Sequence, residues 1–470
     1  MSKNDTALQF VGTLKSHHRI YDDKKGNCYI EDKSKYSDSS FYRAIGEQDT
    51  NMYLNELFLK KFSDLMTDAA LKKVNAMLVH ETKTRGEKYN INFRVAKLDD
   101  KIYINAGNGK VIKITSQEVI KVKTNKVKFE IHDSIGCIAN PDLDNGDIDL
   151  LKKYIPVGQA DFKLILVFIF NAFFTDTHYL LLALIGPAGS AKSFIQKVIK
   201  TVIDPSPIML RNQFKQDEDL VIAAEHCHVI DMNNVSTLSK SIQDTLCTIL
   251  TSGVASGRKK FTDKSESAIH THNPVILNGI GNIVTRDDLY ERSIVINLKK
   301  LKDTNIKPIS EKKLTEDFNN DLPKIIGGIY NALSFILEEY ETFETPGELN
   351  RMADFHVLGC VTEKALGWKV GSFTKAYNAN IANAQGDVLD GSPVAQAIVK
   401  MMKHVETNFQ GTYIKLKESL SCYGDIGNID PRKLSAEIDR ISDSLRNIHG
   451  IEITKLPRSN SGSRLKICMI

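Results

Sequence analysis

A glycine- and serine-containing octapeptide carries the residue types that bind phosphate. It comprises Gly186, Pro187, Ala188, Gly189, Ser190, Ala191, Lys192 and Ser193. In loops of the pattern G-x-x-x-x-G-K-[ST], backbone N–H groups surround the phosphates, the lysine meets the β- and γ-phosphates and the hydroxyl binds Mg²⁺. Ala191 stands where the second glycine is usual, and we expect this exchange to cost little if Ala191 has an ordinary helical φ. The spacing predicts an ATP site in which Lys192 is catalytic and Ser193 binds Mg²⁺.

Two further segments end in polar residues that can complete such a site. In "HCHVIDMNNVS", Asp231 ends a short apolar run and can hold Mg²⁺ through water, whereas Met232 occupies the position usual for a catalytic Glu. Asn233 lies two residues on, so on a strand it faces the same side as Asp231. The sequence leaves open which of the two faces the metal, and we take Asp231 as the catalytic and metal-binding candidate. Asn278 ends the strand "NPVILNGI", and its amide can orient the attacking water or contact the γ-phosphate.

Two arginines follow that strand in "TRDDLYERSIVINL". Arg286 and Arg292 are six residues apart. An arginine that reaches the γ-phosphate bound by a neighbouring subunit stabilises the charge of the transition state, so both are catalytic candidates. The alternative for either arginine is a structural salt bridge with Asp287, Asp288 or Glu291.

The segments around the octapeptide are those that direct a helix N-terminus at a phosphate. Residues 179–185 form an apolar run of strand length, and the residues after Ser193 have helical periodicity. Strand, loop and helix in this order place backbone N–H groups and the helix dipole at a bound anion. Strands and helices alternate to about Leu298, which predicts an α/β fold with a parallel sheet. The run Leu164–Phe174 is about half the length of a bilayer span, so we expect a buried helix there.

The composition is that of an ordinary globular protein. The chain has 470 residues, of which 42% are hydrophobic and 26% are charged, with a net charge of +4. The seven cysteines are scattered without C-x-x-C spacing, which predicts reduced thiols in the cytoplasm. The N-terminus lacks the pattern of a signal peptide. The segment from Gly391 onward carries more Lys and Arg than Asp and Glu, so the basic surplus lies at the C-terminus.

The first 145 residues predict an α+β domain that binds DNA or forms a collar. A helix is expected over about Met52–His80, followed by short alternating strands with a hairpin at "AGNGK". The segment "KVKTNKVKF" then carries four lysines, namely Lys121, Lys123, Lys126 and Lys128. They form either a strand face that meets nucleic acid or a solvated face.

Polar, turn-rich segments divide the rest of the chain. "NPDLDNGDIDL" (140–150) and "QGDVLDGSP" (385–393) are predicted linkers. They delimit an ATPase core over 146–300, a helical lid region over 301–385 and a C-terminal domain over 390–470.

The order of these motifs resembles that of an AAA+ ATPase with a P-loop core. The chain is similar to the replicative helicases of phages, plasmids and genomic islands, which are related to superfamily 3 and minichromosome maintenance helicases. "PAGSAKS" resembles the minichromosome maintenance form of the P-loop, in which Ala before Lys is normal. "NNVS" stands where the mobile-element group has "DNVS", so on this alignment Asn233 replaces the usual metal-facing Asp. The resemblance runs from about residue 90 to the C-terminus and is most specific over "SGVASGRKKFTDKSE" and the two segments that follow it.

The resemblance implies a β-hairpin just before the strand of Asn278. The residues support it independently, because Asp263, Lys264 and Ser265 form a polar turn between two short segments. In the related helicases such hairpins line a central pore and grip one DNA strand. The candidates for phosphate contact are Arg258, Lys259, Lys260, Lys264, His270 and His272. The spacing of the two histidines also suits a metal, but no third ligand is evident in the sequence.

The C-terminal segment predicts a winged helix of three helices and a hairpin. The third helix has strong end signals, with Asp430 as N-cap, Pro431 at the first position and Gly450 after the last. The candidates for duplex contact are Arg432, Lys433, Arg440, Arg446, Arg458 and Arg464. A helix in the major groove with a basic wing is a known docking mode. The alternatives are a protein–protein winged helix and a solvated basic face.

These features predict an ATP-driven DNA helicase or translocase, acting as a homo-hexameric ring in the replication of a mobile element. ATP and Mg²⁺ are the expected cofactors. Single-stranded DNA would pass through the pore, the winged helix would bind duplex, and no membrane contact is expected. The alternative is an origin-binding or regulatory protein in which ATP acts as an assembly switch with little or no hydrolysis. A small-molecule kinase is less favoured, because nothing in the chain resembles an acceptor site.

Overall fold

The structure of the chain is a computed structural model. It describes residues 3–23, 26–33, 40–124, 126–251, 254–258, 266–281, 283–303, 309–340, 342–344, 347–404, 408–459 and 462–470. The N-terminal part consists of α1 (Lys3–His17), β1 (Ile20–Asp23), β2 (Cys28–Glu31), β3 (Phe41–Ala44), α2 (Gln48–Phe62), α3 (Asp68–Arg85), β4 (Glu87–Tyr89), β5 (Ile91–Asn92), β6 (Val95–Leu98), β7 (Lys101–Asn105), β8 (Val111–Ile114), β9 (Val119–Val122) and β10 (Lys128–Glu130).

The long helix predicted over about Met52–His80 is divided in two. Ser63 ends α2 in the left-handed conformation, with φ 55°, and the Thr67 side chain caps α3 by accepting a hydrogen bond from the Ala70 N–H. Helices α1, α2 and α3 pack their apolar side chains together with Ile30 of β2. The two local end signals therefore outweigh the continuous helical pattern of the sequence.

The first sheet closes on itself. Its strand order is β4-β1-β2-β3-β10-β5, so β4 and β5 lie at opposite edges. Only Asn90 separates β4 from β5 along the chain. One residue spans a few ångströms, so the sheet must curl until its two edges meet. This closure brings β1, β4 and β10 around one opening.

A second, antiparallel sheet follows the chain order β6-β7-β8-β9. The hairpin predicted at "AGNGK" joins β7 and β8, and both of its glycines, Gly107 and Gly109, have positive φ. Lys121 lies on β9 of this sheet, whereas Lys128 begins β10 of the first sheet. The predicted single basic strand face is therefore wrong, because Lys121 and Lys128 belong to different sheets and Lys123 and Lys126 lie between the two strands.

The central part surrounds a parallel sheet. Its elements are α4 (Gln159–Asn171), β11 (Leu181–Ile185), α5 (Lys192–Ile203), α6 (Asp217–Glu225), β12 (Ile230–Val235), α7 (Lys240–Leu250), β13 (Val254–Arg258), β14 (Glu266–His270), β15 (Val275–Gly279), α8 (Asp287–Tyr290) and β16 (Ser293–Asn297). The sheet order is β12-β15-β11-β16, and every neighbouring pair is parallel, as the alternation of strands and helices predicts.

Successive residues of β11 enter different cores, because side chains of a strand alternate between the faces of its sheet. Leu182 and Leu184 pack with the buried helix α4 and with α5. Leu181 and Ala183 pack on the opposite face with α7 and with helices of the C-terminal part. No helix in the described ranges combines the length and apolar character needed to cross a bilayer.

A buried ion pair fastens the second sheet to the far end of α5. Arg94, just before β6, is fully buried, and its Nε donates a 2.8 Å hydrogen bond to Oδ1 of Asp204. The Arg94 guanidinium also donates to the carbonyl oxygens of Asn105 and Pro205. Burial opposes ionisation of Asp204, but Arg94 and nearby His228 and Lys200 bring its pKa below the ordinary value.

Three helices follow the sheet, namely α9 (Glu311–Tyr340), α10 (Ala353–Ala365) and α11 (Ser372–Asp390). The predicted linker at 140–150 lies on α9, where a Cβ on Gly327 would come within 2.0 Å of the Asp142 carbonyl oxygen. The glycine pair 327–328 therefore allows a close approach of two backbones. The second predicted linker is wrong over most of its length, because α11 continues through it to Asp390.

The C-terminal part consists of α12 (Pro393–His404), β17 (Phe409–Thr412), α13 (Tyr413–Ser421), α14 (Pro431–His449), β18 (Ile451–Ser459) and β19 (Gly462–Met469). The three predicted helices and the hairpin are present, and β17 adds a third strand in the order β17-β19-β18. Asp430 caps α14 through bonds from the N–H groups of Arg432 and Lys433, and Gly450 ends it at φ 62°. The apolar side of α14 shares a continuous core with the central sheet.

Candidate functional site

The glycine loop, residues 186–193, joins β11 to α5 at the carboxyl edge of the parallel sheet. Gly186 is closely packed, since a Cβ there would come within 2.6 Å of the Leu298 carbonyl oxygen. Gly189 has a φ of +79° and open space where a side chain would stand. The loop is thus held at its start and open at its middle.

Ala191 differs from the sequence-based expectation. It lies directly before α5 in the left-handed conformation, with φ 61° and ψ 18°. This region costs an L-residue roughly 1–2 kcal/mol and favours glycine. The expectation of an ordinary helical φ is therefore wrong, and the glycine of the usual pattern would fit this backbone with less strain.

Lys192 is a buried cation that contacts neutral oxygens. Its Nζ donates to the carbonyl oxygens of Gly186 at 2.7 Å and Pro187 at 2.8 Å, and Ser190 Oγ lies at 3.4 Å. Within the described part of the chain it forms no ion pair with a carboxylate. Burial lowers the pKa of its ammonium group. An anion placed over the loop would relieve this desolvation, since buried charges are normally paired.

Ser193 belongs to a cluster of neutral polar side chains. Its hydroxyl donates a 2.8 Å hydrogen bond to Oδ1 of Asn233, and the Asn278 amide donates to the same oxygen at 2.8 Å. The Asn278 amide also bonds Gln196 on α5, and its Oδ1 accepts from the Asn234 N–H. The structure therefore brings together three elements predicted for the site, which are the loop serine, the end of β12 and the end of β15.

Asp231 lies away from this cluster. It is fully buried, and its carboxylate bonds the Lys200 ammonium, the Arg211 guanidinium and the Arg211 backbone N–H. The predicted role of Asp231 as metal ligand disagrees with these contacts, because Oδ1 pairs with both cations and Oδ2 accepts from the Arg211 backbone N–H. The alternative residue, Asn233, occupies the position beside Ser193. The pairing of β12 with β15 shifts its register between Met232 and Val235, and Asn233 lies within this irregularity.

The two candidate arginines are engaged within the chain. Arg292 is mostly buried and donates to the carboxylate and the backbone carbonyl of Asp288, both at 2.6 Å. Arg286 is 37% exposed and pairs with Asp244 at 3.0 Å. Arg351 also contacts Asp288, so Asp288 bridges two arginines. Arg292 thus forms the structural salt bridge that was the alternative to a catalytic role, whereas Arg286 keeps a partly exposed side chain.

The predicted hairpin before β15 is present. Strands β13 and β14 pair in antiparallel register from Val254 opposite His270 to Arg258 opposite Glu266. Lys259, Lys260 and Lys264 lie outside the described residues, as do the side chains of Arg258 and His270. His272 follows the hairpin and packs its ring against Tyr179, with centroids 4.2 Å apart. His272 is therefore part of the packing at the base of β15.

The C-terminal basic residues predicted to contact duplex DNA differ in exposure. Exposed side chains are those of Arg432, Lys433, Arg446 and Arg458, and Arg464 is half-buried on β19. Arg440 is 35% exposed, and its guanidinium bonds Glu437 and lies near Asp287 of the central part. Burial raises the pKa of Asp287 to about 6, and Arg440 opposes that rise. These contacts within the chain make Arg440 a weaker candidate for DNA contact than the four exposed residues.

The side chains at the loop fit a nucleotide with Mg²⁺. The N–H groups of the first helical turn, which begins at Lys192, have no partner within α5. Hydroxyl and amide oxygens of Ser193 and Asn233 are acceptable Mg²⁺ ligands, and Mg²⁺ on nucleotides commonly takes few protein ligands besides the phosphates. The donor set contains no carboxylate, which distinguishes it from the usual acidic metal site. In the described ranges there is no group of three or more His, Cys, Asp or Glu suited to another metal.

Several site residues were missed at the sequence level. Lys200 and Arg211, the partners of Asp231, lie 31 and 20 positions from it in the sequence, and no local pattern connects them. Gln196 had a usable signal, since it lies one helical turn after Lys192 and faces the same direction. No sequence pattern distinguishes Arg351 from the other basic residues.

Comparison with known proteins assigns the family. A model of the actinomycete integrative conjugative element replication protein (AICE_RepA) matches residues 148–387, just over half of the chain. The protein belongs to this family of mobile-element replication proteins. The matched segment contains the glycine loop, the parallel sheet and most of the three helices that follow.

Similarity to solved structures is broad but distant. The chain resembles "SCCmec type IV Cch - active helicase" at 12% identity and TM-score 0.48, covering 96% of this chain and 92% of that one. It also resembles the apo C-terminal region of NrS-1 at 13% identity and TM-score 0.41, covering 98% of each chain. No curated protein sequence matches.

Proposed function

We propose that this protein is an ATP-driven DNA helicase or translocase that works as a ring in the replication of a mobile genetic element. The observation that carries the proposal is Lys192, a buried cation with neutral acceptors at the N-terminus of α5. A cation and backbone N–H groups at a helix N-terminus are the chemistry of a phosphate-binding site. Membership of a replication-protein family supplies the context, and such a role belongs in the cytoplasm.

The glycine loop is the proposed ATP site. Lys192 would exchange the carbonyl oxygens of Gly186 and Pro187 for the β- and γ-phosphates, and the open space at Gly189 leaves room for them. Ser193 and Asn233 would hold Mg²⁺, which supplies neutralisation of phosphate charge. Asn278, which bonds Asn233, would orient an attacking water.

Arg286 is the preferred candidate for contact with a neighbouring subunit. It is more exposed than Arg292, and its partner Asp244 is itself 57% exposed. An exposed ion pair is worth about 0–1 kcal/mol and is readily exchanged for a phosphate. We infer a homo-hexameric ring in which Arg286 completes the site of the adjacent subunit.

DNA contact is proposed at two places. The β13–β14 hairpin would line the pore and hold single-stranded DNA, and the lysines between its two strands in the sequence are the proposed phosphate contacts. The C-terminal part has the order of elements of a winged helix, and its exposed Arg432 and Lys433 begin α14. This helix is proposed to meet duplex DNA, since recognition helices use their N-terminal residues.

The test compares Lys192→Ala with Lys197→Ala. Lys197 lies on the same helix, is half-exposed and pairs with Glu311 at the surface, so it controls for loss of a positive charge. ATP binding, ATP hydrolysis and unwinding of a forked duplex are measured for both. We expect Lys192→Ala to lose all three activities and Lys197→Ala to keep them. Unchanged ATP affinity in Lys192→Ala would refute the assignment.

A second function is favoured by one specific observation. The polar cluster at Ser193 contains amides and a hydroxyl but no carboxylate, and the nearest predicted acid, Asp231, is bonded to Lys200 and Arg211. A site without an acidic group to activate water suits an ATP-controlled assembly switch with slow or absent hydrolysis. Single-turnover hydrolysis with DNA present separates the two: product formed within seconds supports the motor, and bound, intact ATP supports the switch.

A further inference from the structure

A second cavity lies in the N-terminal part, apart from the glycine loop. Its volume is about 660 Å³, within the range of about 300–1,000 Å³ that is usual for ligand pockets. Four of its lining residues are cations, Arg19, Arg85, Lys126 and Lys128, and one, Glu87, is an acid. We call this cavity the tyrosine–arginine pocket, because Tyr21 and Tyr89 also line it.

Closure of the first sheet creates the pocket. Tyr21 of β1 and Tyr89 of β4 lie on paired strands, and their rings are 5.0 Å apart. Lys128 begins β10, and three strands lie between β10 and β4 in the order of the sheet. Its Nζ is nevertheless 4.8 Å from the centre of the Tyr89 ring. The curled sheet therefore assembles residues from both of its edges around one opening.

The pocket has a floor and a rim of different character. On the floor, Lys128 is 3% exposed and its ammonium lies 4.8–5.4 Å from the ring centres of Tyr89, Tyr21 and Tyr42. Burial, followed by the charge of Arg19, lowers the pKa of Lys128. On the rim, Arg19, Arg85 and Lys126 are exposed. The site thus combines fixed aromatic surface with three accessible positive charges.

Tyr89 supplies the aromatic surface that a ligand can reach. It is 40% exposed, whereas Tyr21 is 4% exposed. Arg85, at the end of α3, is 76% exposed, and its ion pair with Glu81 is long at 3.9 Å. Cations beside an exposed ring are the combination that binds a phosphate and stacks a base, as in proteins that hold single-stranded nucleic acid.

We propose that the tyrosine–arginine pocket binds one nucleotide unit, with its base on Tyr89 and its phosphate at Arg85 and Lys126. The unit comes either from a free nucleotide or from a single strand of DNA, since both present the same base and phosphate. This site goes beyond the proposed motor and is independent of the glycine loop. A ligand that offers only negative charge, such as an acidic peptide, would leave the Tyr89 ring unused.

The experiment uses full-length Lys192→Ala protein without ATP, so that the glycine loop contributes no nucleotide binding. Binding of a fluorescent oligothymidine and of a fluorescent mononucleotide is followed by anisotropy at several salt concentrations. Arg85→Gln with Lys126→Gln should lower the slope of log affinity against log salt by about 0.7, because the pocket holds one phosphate of the strand. Tyr89→Ala should weaken binding about five- to a hundredfold at an unchanged slope, because stacking carries no charge.

Two controls match these changes. Lys72→Gln with Lys110→Gln removes the same charge from exposed positions outside the pocket, and Tyr89→Phe keeps the ring. Both should bind like the parent. Binding of the mononucleotide identifies a free nucleotide as a source, and binding of the oligonucleotide alone identifies the strand. Equal loss in the pocket and control charge variants, or full affinity in Tyr89→Ala, would overturn the proposal.

Discussion

Ser193 and Asn233 are joined by a 2.8 Å hydrogen bond from the serine hydroxyl to the asparagine Oδ1. This contact links the glycine loop to the end of β12, and Asn278 of β15 donates to the same oxygen. The position beside the loop serine is thus held by an amide, where a carboxylate would carry a negative charge. Oxygen ligands without charge bind Mg²⁺ less strongly than carboxylates do.

The first prediction is that Asn233→Asp lowers the Mg²⁺ concentration required for ATP binding. The change places a carboxylate next to Ser193, and even indirect partners of a metal alter its affinity about ten- to a hundredfold. We expect at least about a tenfold decrease in the half-saturating Mg²⁺ concentration, measured by titration with a fluorescent ATP analogue. Asn234→Asp is the matched control, because Asn234 is the adjacent, exposed residue. An equal effect in the control would show a general influence of charge and contradict the metal-facing role.

The second prediction concerns the backbone of Ala191. Ala191→Gly should raise the midpoint of thermal unfolding, because glycine removes a left-handed strain of roughly 1–2 kcal/mol and loses up to about 1 kcal/mol in chain entropy. The expected gain is therefore small, up to about 1 kcal/mol. Ala188→Gly makes the same chemical change at an exposed position of the same loop that lacks a positive φ. It should leave stability unchanged or lower it, and a gain in both variants would contradict the assignment of strain.

Local features of this fold follow from the sequence, whereas its long-range contacts do not. The end signals at Asp430 and Gly450 act within a few residues, and α14 begins and ends where they predict. The strand, loop and helix around Lys192 are equally local. The fate of Asp231 depends instead on Lys200 and Arg211, which the fold brings to it from other elements.

The closed sheet also depends on long-range contacts that the sequence does not predict. Nothing in the residues of β4 or β10 indicates that Tyr89 and Lys128 will meet, because the contact requires the whole sheet to curl. The position of Arg440 near Asp287 also depends on packing between the C-terminal and central parts. A basic residue on a helix predicts a surface, but only tertiary structure decides whether that surface meets solvent, DNA or another part of the chain.

The third prediction separates the two candidate arginines. Arg286→Ala should bind ATP normally and fail to hydrolyse it, because it removes an exposed group proposed to act on the neighbouring subunit. Mixing Arg286→Ala with Lys192→Ala should restore part of the activity, since some junctions then contain both groups. Arg292→Ala should lower thermal stability, because it leaves Asp288 with Arg351 alone. If assembled mixtures show no rescue, the shared site is wrong.

The fourth prediction is a loss of stability at mildly acidic pH through stacked histidines. His132 and His226 lie face to face, with ring centres 4.6 Å apart at 18°. Burial lowers both pKa values; nearby Glu47, Asp133 and Glu225 oppose the shift, and the charge of His132 adds to it for His226. The unfolded chain binds protons near the ordinary pKa of about 6.5. Below that pH the unfolded state therefore holds more protons, and stability falls as pH decreases.

His226→Phe tests this linkage because it keeps the stacking and removes one titrating group. Thermal unfolding is measured at pH 7.5 and at pH 5.5 for both proteins. The decrease in midpoint on acidification should be smaller in the variant, with each unit of pKa shift worth about 1.4 kcal/mol. His228, which is fully buried and has a lowered pKa, is present in both proteins, so its contribution cancels. An identical pH dependence in the two proteins would show that the stacked pair is not responsible.

The last prediction separates DNA contact from internal packing in the C-terminal part. Deleting this part is an unsuitable test, because its apolar side chains share one core with the central sheet and their removal would expose it. Point substitutions on α14 avoid that problem. Arg432→Gln with Lys433→Gln changes exposed residues at the start of the helix, whereas Arg440→Gln changes a partly buried residue that bonds Glu437 on the same helix.

The two variants should differ in which property they lose, duplex binding or thermal stability. Loss of Arg432 and Lys433 should weaken duplex binding and lower its salt slope by about 1.8, at about 0.9 for each phosphate contact, with thermal stability unchanged. Arg440→Gln should bind duplex with the parental slope but unfold at a lower temperature, because Arg440 is the cation that offsets the burial of Asp287 and it also bonds Glu437. Duplex titrations at several salt concentrations and thermal unfolding provide both readouts. A parental salt slope in the double variant would remove α14 from the DNA interface and favour a protein-binding role for this part, because its exposed cations would then be unused by duplex.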